Sequence, residues 1–192
     1  MKRVALLFLL AGFFIPLASA QDHFQAGVYA DYLHFSQTNN NLVGLGGRVG
    51  FKAFPHVILE GEMSYDFAQA FTEGFTDTTN GSLSFQQTNM RVLHGLFGPK
   101  VEGGHGRIRP FVTVKGGFTN FRLDPRLASF DTFVSSVENL RTNNVSAVLY
   151  PGAGVEGHLG PVGLRLDVGD EIYFNSGTRH NFRLAFGPFL RF

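Results

Sequence analysis

The sequence predicts an all-β fold, an eight-stranded antiparallel up-and-down transmembrane β-barrel. Three observations predict it. Apolar and polar residues alternate with a period of two, not 3.6, along about eight stretches. Those stretches are long enough to cross a hydrocarbon core as tilted strands, which takes roughly 9–11 residues. Strands of ordinary globular proteins are nearer to about 5–6. The connections also alternate, short at one end and mostly longer at the other, the pattern of barrels with short periplasmic turns and longer external loops.

Composition narrows the alternatives. At 192 residues the chain holds one domain. Residues 1–20 read as a removable export signal: Lys2 and Arg3 give a positive start, Val4 to Ile15 is unbroken apolar sequence, and Ala18-Ser19-Ala20 is a small-residue cleavage site. The barrel domain then spans 21–192, starting at Gln21. Removing the signal takes two of the sixteen basic residues and none of the fifteen acids, so fourteen bases face fifteen acids and the net charge is −1. A near-neutral chain without charge runs lacks the basic face of a nucleic-acid binder, so no nucleic acid is expected as partner. With no cysteine there is no disulfide framework, thiolate metal site or cysteine nucleophile. Beyond the signal, no apolar run approaches the roughly 20 residues of a membrane-spanning helix. Low charge (16%), high aromatic content (14%, chiefly 22 Phe) and 24 Gly fit neither a helical bundle nor a disordered chain.

The eight stretches follow in order. The first is Phe24 to Phe35. The second is Val43 to Phe54, with Leu45, Val49, Phe51 and Ala53 on one face and Arg48 and Lys52 on the other. The third, Val57 to Ala68, is the clearest: Val57, Leu59, Met63, Tyr65 and Phe67 share a face, and Glu60, Glu62, Ser64 and Asp66 share the opposite one. The fourth runs from about Gln87 to Val101, the fifth from about Ile108 to Phe121, the sixth from about Val145 to Leu159. The seventh is Val162 to Phe174 and the eighth Asn181 to Phe192. Short turns are expected at Pro55-His56, Glu102 to Gly106 and Gly160-Pro161. Longer loops are expected at Ser36 to Leu42, Gln69 to Ser84, Arg122 to Asn144 and Asn175 to His180.

In a soluble sheet the charged face meets water. In a small membrane barrel the apolar face meets lipid and the charged face fills the interior. The expected interior set is Asp31, Arg48, Lys52, Glu60, Glu62, Asp66, Arg91, Lys115, Glu156, Arg165, Asp167, Glu171 and Arg183. Six are basic and seven acidic. Charges enclosed in a lumen must be paired or hydrated. A balanced set fits a plug of ion pairs better than an ion-selective pore, which is lined by one sign. The fourth stretch is ambiguous: His94 falls among Met90, Val92 and Leu96 on the face assigned to lipid, so a bulge is one way to shift its phase.

The last stretch places Phe182, Leu184, Phe186, Leu190 and Phe192 at even spacing. Pro188, which has no amide hydrogen, implies a gap or bulge in the ladder. This strand resembles the C-terminal signal that the barrel-assembly machinery recognises, read here as ending at Phe192. The chain as a whole resembles the small outer-membrane barrels of the OmpA-membrane-domain and OmpX type. The resemblance is carried by Leu96-Phe97-Gly98-Pro99-Lys100, Arg109-Pro110-Phe111, Lys115-Gly116-Gly117, Gly152-Ala153-Gly154-Val155-Glu156, Leu164-Arg165-Leu166-Asp167-Val168 and Asn181-Phe182-Arg183 through Phe192. It implies a monomer in the bacterial outer membrane, surrounded by outer-membrane lipid. It implies no single activity, since such barrels serve as anchors, surface-interaction proteins and occasionally enzymes. No periplasmic peptidoglycan-binding domain of the kind attached to OmpA is expected.

Candidate chemistry is sparse. The histidines are His23, His34, His56, His94, His105, His158 and His180, none spaced as an H-x-x-x-H or H-E-x-x-H pair. Some eight-stranded barrels are lipid A deacylases using His, Ser and an acid at the external rim. Here His34 and Ser36 lie two apart on one face, but no Asp or Glu is placed as the orienting acid, and the pair is on the first strand, not a late one. Glu60 and Glu62 read as structural ion-pair partners more readily than as an acid/base pair. Gly44-x-Gly46-Gly47 is followed by no helix and is not a phosphate loop. Asn80-Gly81 reads as a loop tip. Phe71, Phe75, Phe85, Phe130 and Phe133 sit in or beside the second and third loops, where they either pack over the barrel mouth or meet an extracellular partner. Leu127, Val134, Val137 and Leu140 suggest a helical turn in the third loop. No catalytic residue, cofactor or metal is expected. The function expected is non-enzymatic, structural or surface-interacting through the loops. A narrow pore, a lipid-modifying enzyme and a soluble secreted ligand-binding barrel are the alternatives.

Overall fold

The computed structural model describes residues 23–124, 133–135, 140, 144–175 and 177–192. The signal assigned to 1–20 lies outside the described residues, as do Leu127, Phe130 and Val137 of the third loop. Nine strands form: β1 (Phe24–Phe35), β2 (Asn40–Phe54), β3 (Val57–Asp77), β4 (Leu83–Glu102), β5 (Ile108–Asp124), β6 (Phe133–Ser135), β7 (Val145–Leu159), β8 (Val162–Phe174) and β9 (Thr178–Arg191). All except β6 pair antiparallel around a ring in the order β2-β1-β9-β8-β7-β5-β4-β3, and β3 pairs back onto β2. The result is a closed eight-stranded barrel with no free edge around its circumference. The three-residue β6 adds to the upper part of β3, opposite Phe75 to Asp77.

The barrel has two ends. The terminal end holds Phe24, Phe192 and the turns at residues 55–56, 103–107 and 160–161. There the backbones of Phe24 and Phe192 exchange hydrogen bonds of 2.9 and 3.0 Å. The loop end holds the other connections. All four differ from expectation: β5 runs on to Asp124, β9 begins at Thr178, and the first two loops shorten as well. Residues 69–77 and 83–84, expected in a loop, extend β3 and β4 into a tall hairpin whose tip is 78–82. A bulge between Asp66 and Gln69 explains this. It resets the side-chain phase, so that Phe71, Glu73 and Phe75 turn inward after it, and a single period of two loses the strand there. The first loop also shortens to 36–39, because β2 begins at Asn40, not Val43. Of the residues expected in a helical turn of the third loop, Val134 lies in β6 instead, whereas Leu140 is helical.

Outward residues are apolar over the middle of every long strand. Val28, Val49, Met63, Phe97, Val114, Leu149, Leu166 and Phe186 are all exposed. Aromatics gather at the borders of this belt. Phe24, Phe51 and Phe54 lie at the terminal end, with the first two rings 5.2 Å apart. Tyr65 and Phe67 pair toward the loop end at 6.0 Å. Such girdles mark the two interfaces of a membrane.

The strand prolines sit where the ladder opens. Pairing skips Pro99 between β4 and β5, Pro151 between β7 and β8, and Pro188 between β9 and β1, with unchanged register on either side. Each proline lacks the hydrogen its neighbour would accept. The gap expected at Pro188 is therefore present, without a bulge.

Inside, two layers are stacked. Toward the terminal end the lumen is ionic. Toward the loop end Leu33, Phe35, Leu42, Phe71, Met90, Val92, Phe121, Leu123, Leu140 and Tyr173 form an apolar plug. This corrects the phase of the fourth stretch. Met90, Val92, His94 and Leu96 are buried and point inward, no bulge interrupts β4 there, and Arg91 points outward. The expectation failed because the plug makes the inner face of this strand apolar at that height.

Ring packing sets the interior spacing. Phe111 lies directly across from Gly154, and a Cβ at Gly154 would strike both that ring and the Leu166 carbonyl. Gly154→Ala should therefore destabilise the barrel by about 1–3 kcal/mol. Gly47 faces open space: a Cβ added there would meet nothing closer than Gly27 O at 3.8 Å. Gly47→Ala should stay within about 0.5 kcal/mol. Urea unfolding in lipid vesicles, followed by gel mobility, measures both.

Candidate functional site

Because side chains alternate across each strand, every second residue of eight strands projects into one narrow cylinder. Those residues form one connected polar network. Arg183 on β9 lies at its centre. Its Nε and Nη2 donate to Asp31 of β1 at 3.0–3.1 Å, and Nη1 donates to Glu62 of β3 at 2.7 Å. Nη2 also reaches the Tyr29 hydroxyl at 3.2 Å. Lys115 of β5 joins Glu62 (2.7 Å) to Glu60 (3.1 Å). Arg165 of β8 bridges Glu60 and Asp167, both at 2.6 Å, with its guanidinium 4.1 Å from the Phe111 ring centre. Lys100 of β4 is held by Glu60, Glu102, Glu156 and the Gln25 carbonyl.

Two further groups finish the layer. His94 lies between two carboxylates, with Nε2 2.6 Å from Asp66 and Nδ1 2.7 Å from Glu171. Tyr150 donates its hydroxyl to Asp167 at 2.7 Å, and Arg48 reaches the same carboxylate at 3.4 Å while covering the Tyr29 ring at 4.1 Å. At the terminal mouth, Arg191 grips Glu102 at 2.9 Å. Several of these links, such as Arg165–Glu60, Arg191–Glu102 and His94–Glu171, join strands that are not neighbours in the ring, and these cations and carboxylates are almost fully buried. An enclosed charge is tolerated when several hydrogen bonds surround it. The arrangement braces the wall and fills the lumen.

Of the interior set read from sequence, eleven residues are in this network. Lys52 is half-buried at the terminal mouth, and Arg91 faces outward opposite Arg122. Sequence reading missed His94, Lys100, Glu102 and Arg191. Lys100 and Glu102 share the phase of Met90 and Val92, so the misread phase of β4 hid them. Arg191 shows in the sequence only as a residue between apolar positions.

The remaining candidates fall apart spatially or into structural roles. His34 Nδ1 lies 2.8 Å from the Asn41 amide oxygen. Ser36 donates from both N and Oγ to Asn181 Oδ1, at 3.0 and 3.1 Å. Each is thus engaged with a different asparagine. Glu60 and Glu62 carry the ion pairs above. Gly44 and Gly46 point into the lumen, with Asp66 and the Tyr29 ring beside them. Asn80 accepts from Ser82 N, and Gly81 adopts positive φ at the hairpin tip. Phe71 and Phe75 are buried inside the raised hairpin, whereas Phe85 is 70% exposed. Among the described residues, no three His, Asp or Glu side chains are grouped to hold a metal ion.

The closed ring, the apolar outer belt and the filled lumen define a small transmembrane β-barrel. Solved structures agree in fold. The chain is similar to Ail, the attachment invasion locus protein of Yersinia pestis, with a TM-score of 0.51 and 12% identity over 90% of this chain and 99% of Ail. It is similar to Neisserial surface protein A, with a TM-score of 0.51 and 13% identity over 88% of this chain and 96% of that one. No protein-family model matches the sequence, and no curated protein matches it significantly.

Replacing Arg183 strands Asp31 in the buried interior and leaves Glu62 with Lys115 alone. Arg183→Met should cost about 3–5 kcal/mol, read as an earlier urea midpoint. Adding Asp31→Leu should recover part of that loss, because the stranded carboxylate is removed.

Proposed function

We propose that the protein is a non-enzymatic barrel of the bacterial outer membrane, non-conducting, acting as an anchor or surface-interaction protein through its loop end. One observation carries this reading: the lumen is filled along its length, by cross-barrel ion pairs below and an apolar plug above. A pore needs a continuous water path lined largely by one sign of charge. Here the cations are neutralised by facing carboxylates, and the plug offers water no partners. A soluble ligand-binding barrel would keep its apolar face inside, whereas the belt of exposed Val, Leu and Phe argues for lipid as the surrounding solvent.

In this reading the loop end faces outside, and the β3–β4 hairpin raises Leu83 and Phe85 above the membrane for contact with an extracellular partner. The β9 strand through Phe192 would be what the barrel-assembly machinery engages, and the barrel would be a monomer, since its ring is complete without a second copy.

Planar-bilayer recording tests the closed lumen. Flat traces are expected at all voltages that the bilayer survives. Regular single-channel steps from purified folded protein would replace this reading with that of a narrow pore. Expression of Ser36→Ala beside the wild type, followed by lipid A analysis, tests the enzymatic alternative. Identical lipid profiles for cells with and without the protein are expected.

A further inference from the structure

We infer that the rim at the terminal end binds a phosphate group, in a pocket made by the β4–β5 and β7–β8 turns. The pocket has a volume of about 520 Å³, and its polar side chains are His105, Arg107, Arg109 and His158, with Leu159 on its outer lip. The strand register brings them together. The ladder between β5 and β7 continues one step past Ile108, so that His158 N donates to Arg107 O at 2.7 Å. Arg107, Arg109 and His158 therefore share the lumen-side face of two neighbouring strands.

The positive charge there is not cancelled. The Arg107 guanidinium makes no ion pair or hydrogen bond among the described residues, and the residue is exposed. Arg109 donates from Nε to Gly106 O at 3.2 Å and stands 3.5 Å from Glu102. That carboxylate is already held by Arg191 at 2.9 Å and Lys100 at 3.0 Å. His158 packs edge-on against Phe189, and its buried Nε2 makes no hydrogen bond. The nearest acid, Glu156 Oε2, is 3.5 Å away, and Glu156 is engaged by Lys100 and Arg165. His105 is exposed and stacks on His56 at 5.1 Å.

The ligand's chemistry follows. Two guanidinium forks with imidazole donors beside them match a tetrahedral oxyanion, which accepts several hydrogen bonds at once. Glu102 is saturated by cations, whereas Glu156 gives Oε1 to Lys100 and Arg165 and leaves Oε2 without a hydrogen bond, 3.5 Å from His158 Nε2. His158 therefore answers the Glu156 carboxylate, and Arg107 carries the positive charge that no carboxylate cancels. The outer surface beside the pocket is strongly apolar: Leu159 is 79% and Ile108 71% exposed. A phosphate carried on a lipid would place its chains along these residues and its headgroup in the pocket. A free phosphate would use the same donors.

The test uses the ¹⁵N-labelled protein in a phosphate-free non-ionic detergent, with folding checked by gel mobility. Sodium phosphate is titrated against sodium chloride of equal ionic strength. Dihexanoyl-phosphatidylglycerol is titrated separately. Amide resonances of Gly106 and Gly160 report on the pocket, and Gly81, at the opposite end, is the reference. Saturable shifts at Gly106 and Gly160 but not at Gly81 are expected. Arg107→Ala should weaken the binding about tenfold, and Arg107→Lys should restore part of it. Shifts with both probes support recognition of the phosphate itself. Shifts with the lipid alone support a membrane headgroup, and with sodium phosphate alone a free anion. Absence of saturation with both probes would overturn the proposal. So would equal shifts at Gly81, or an affinity untouched by Arg107→Ala.

Discussion

The structure depends on one constraint: an eight-stranded cylinder leaves room inside for side chains and little else. Every inward charge must therefore find its partners within the lumen. In the lower part, Arg183, Arg165, Lys100 and Lys115 each meet two or more carboxylates from other strands. None of these charges lies within reach of lipid, because the wall between is a continuous hydrogen-bonded sheet. A barrel is what makes such a core workable, since the closed ladder pairs the strands' backbones and leaves no lateral edge in the hydrocarbon.

Two devices adapt the wall to that core. Aromatic rings lie over glycines on the facing strand, Tyr29 over Gly46, Phe111 over Gly154 and Phe189 over Gly163, so bulky groups and charged heads share the narrow bore. The ladder opens beside Pro99, Pro151 and Pro188, one on each of three strands distributed around the ring. The outer surface is left apolar. The two ends carry the features that differ from this plain wall: a raised hairpin with exposed Leu83 and Phe85 at one, a basic rim at the other.

Much of this was legible in the sequence, and the reasons are local. Leu59 to Asp66 alternates cleanly because both faces are uniform there, lipid on one side and polar side chains on the other. The inward placement of Glu60, Glu62, Arg165, Asp167 and Arg183 follows from the same alternation. It failed where a face changes character with height. Met90, Val92 and Leu96 line the apolar plug, so β4 shows apolar residues inward and a charged Arg91 outward. The extension of β3 was hidden by the bulge after Asp66. Which cation meets which carboxylate was not legible at all, since Arg183 and Asp31 are far apart in the chain and meet only when the ring closes between β1 and β9.

The central claim is the facing of each strand, and β4 tests it most sharply. The chain contains no cysteine, so single-cysteine variants can be labelled without background. A fluorophore at Leu93→Cys, Gly95→Cys and Phe97→Cys should be quenched strongly by acyl-chain-linked quenchers. Labels at Val92→Cys, His94→Cys and Leu96→Cys should be poorly quenched or should prevent folding. The reverse alternation would put Met90, Val92 and Leu96 against lipid, and would contradict the apolar plug and the filled lumen together.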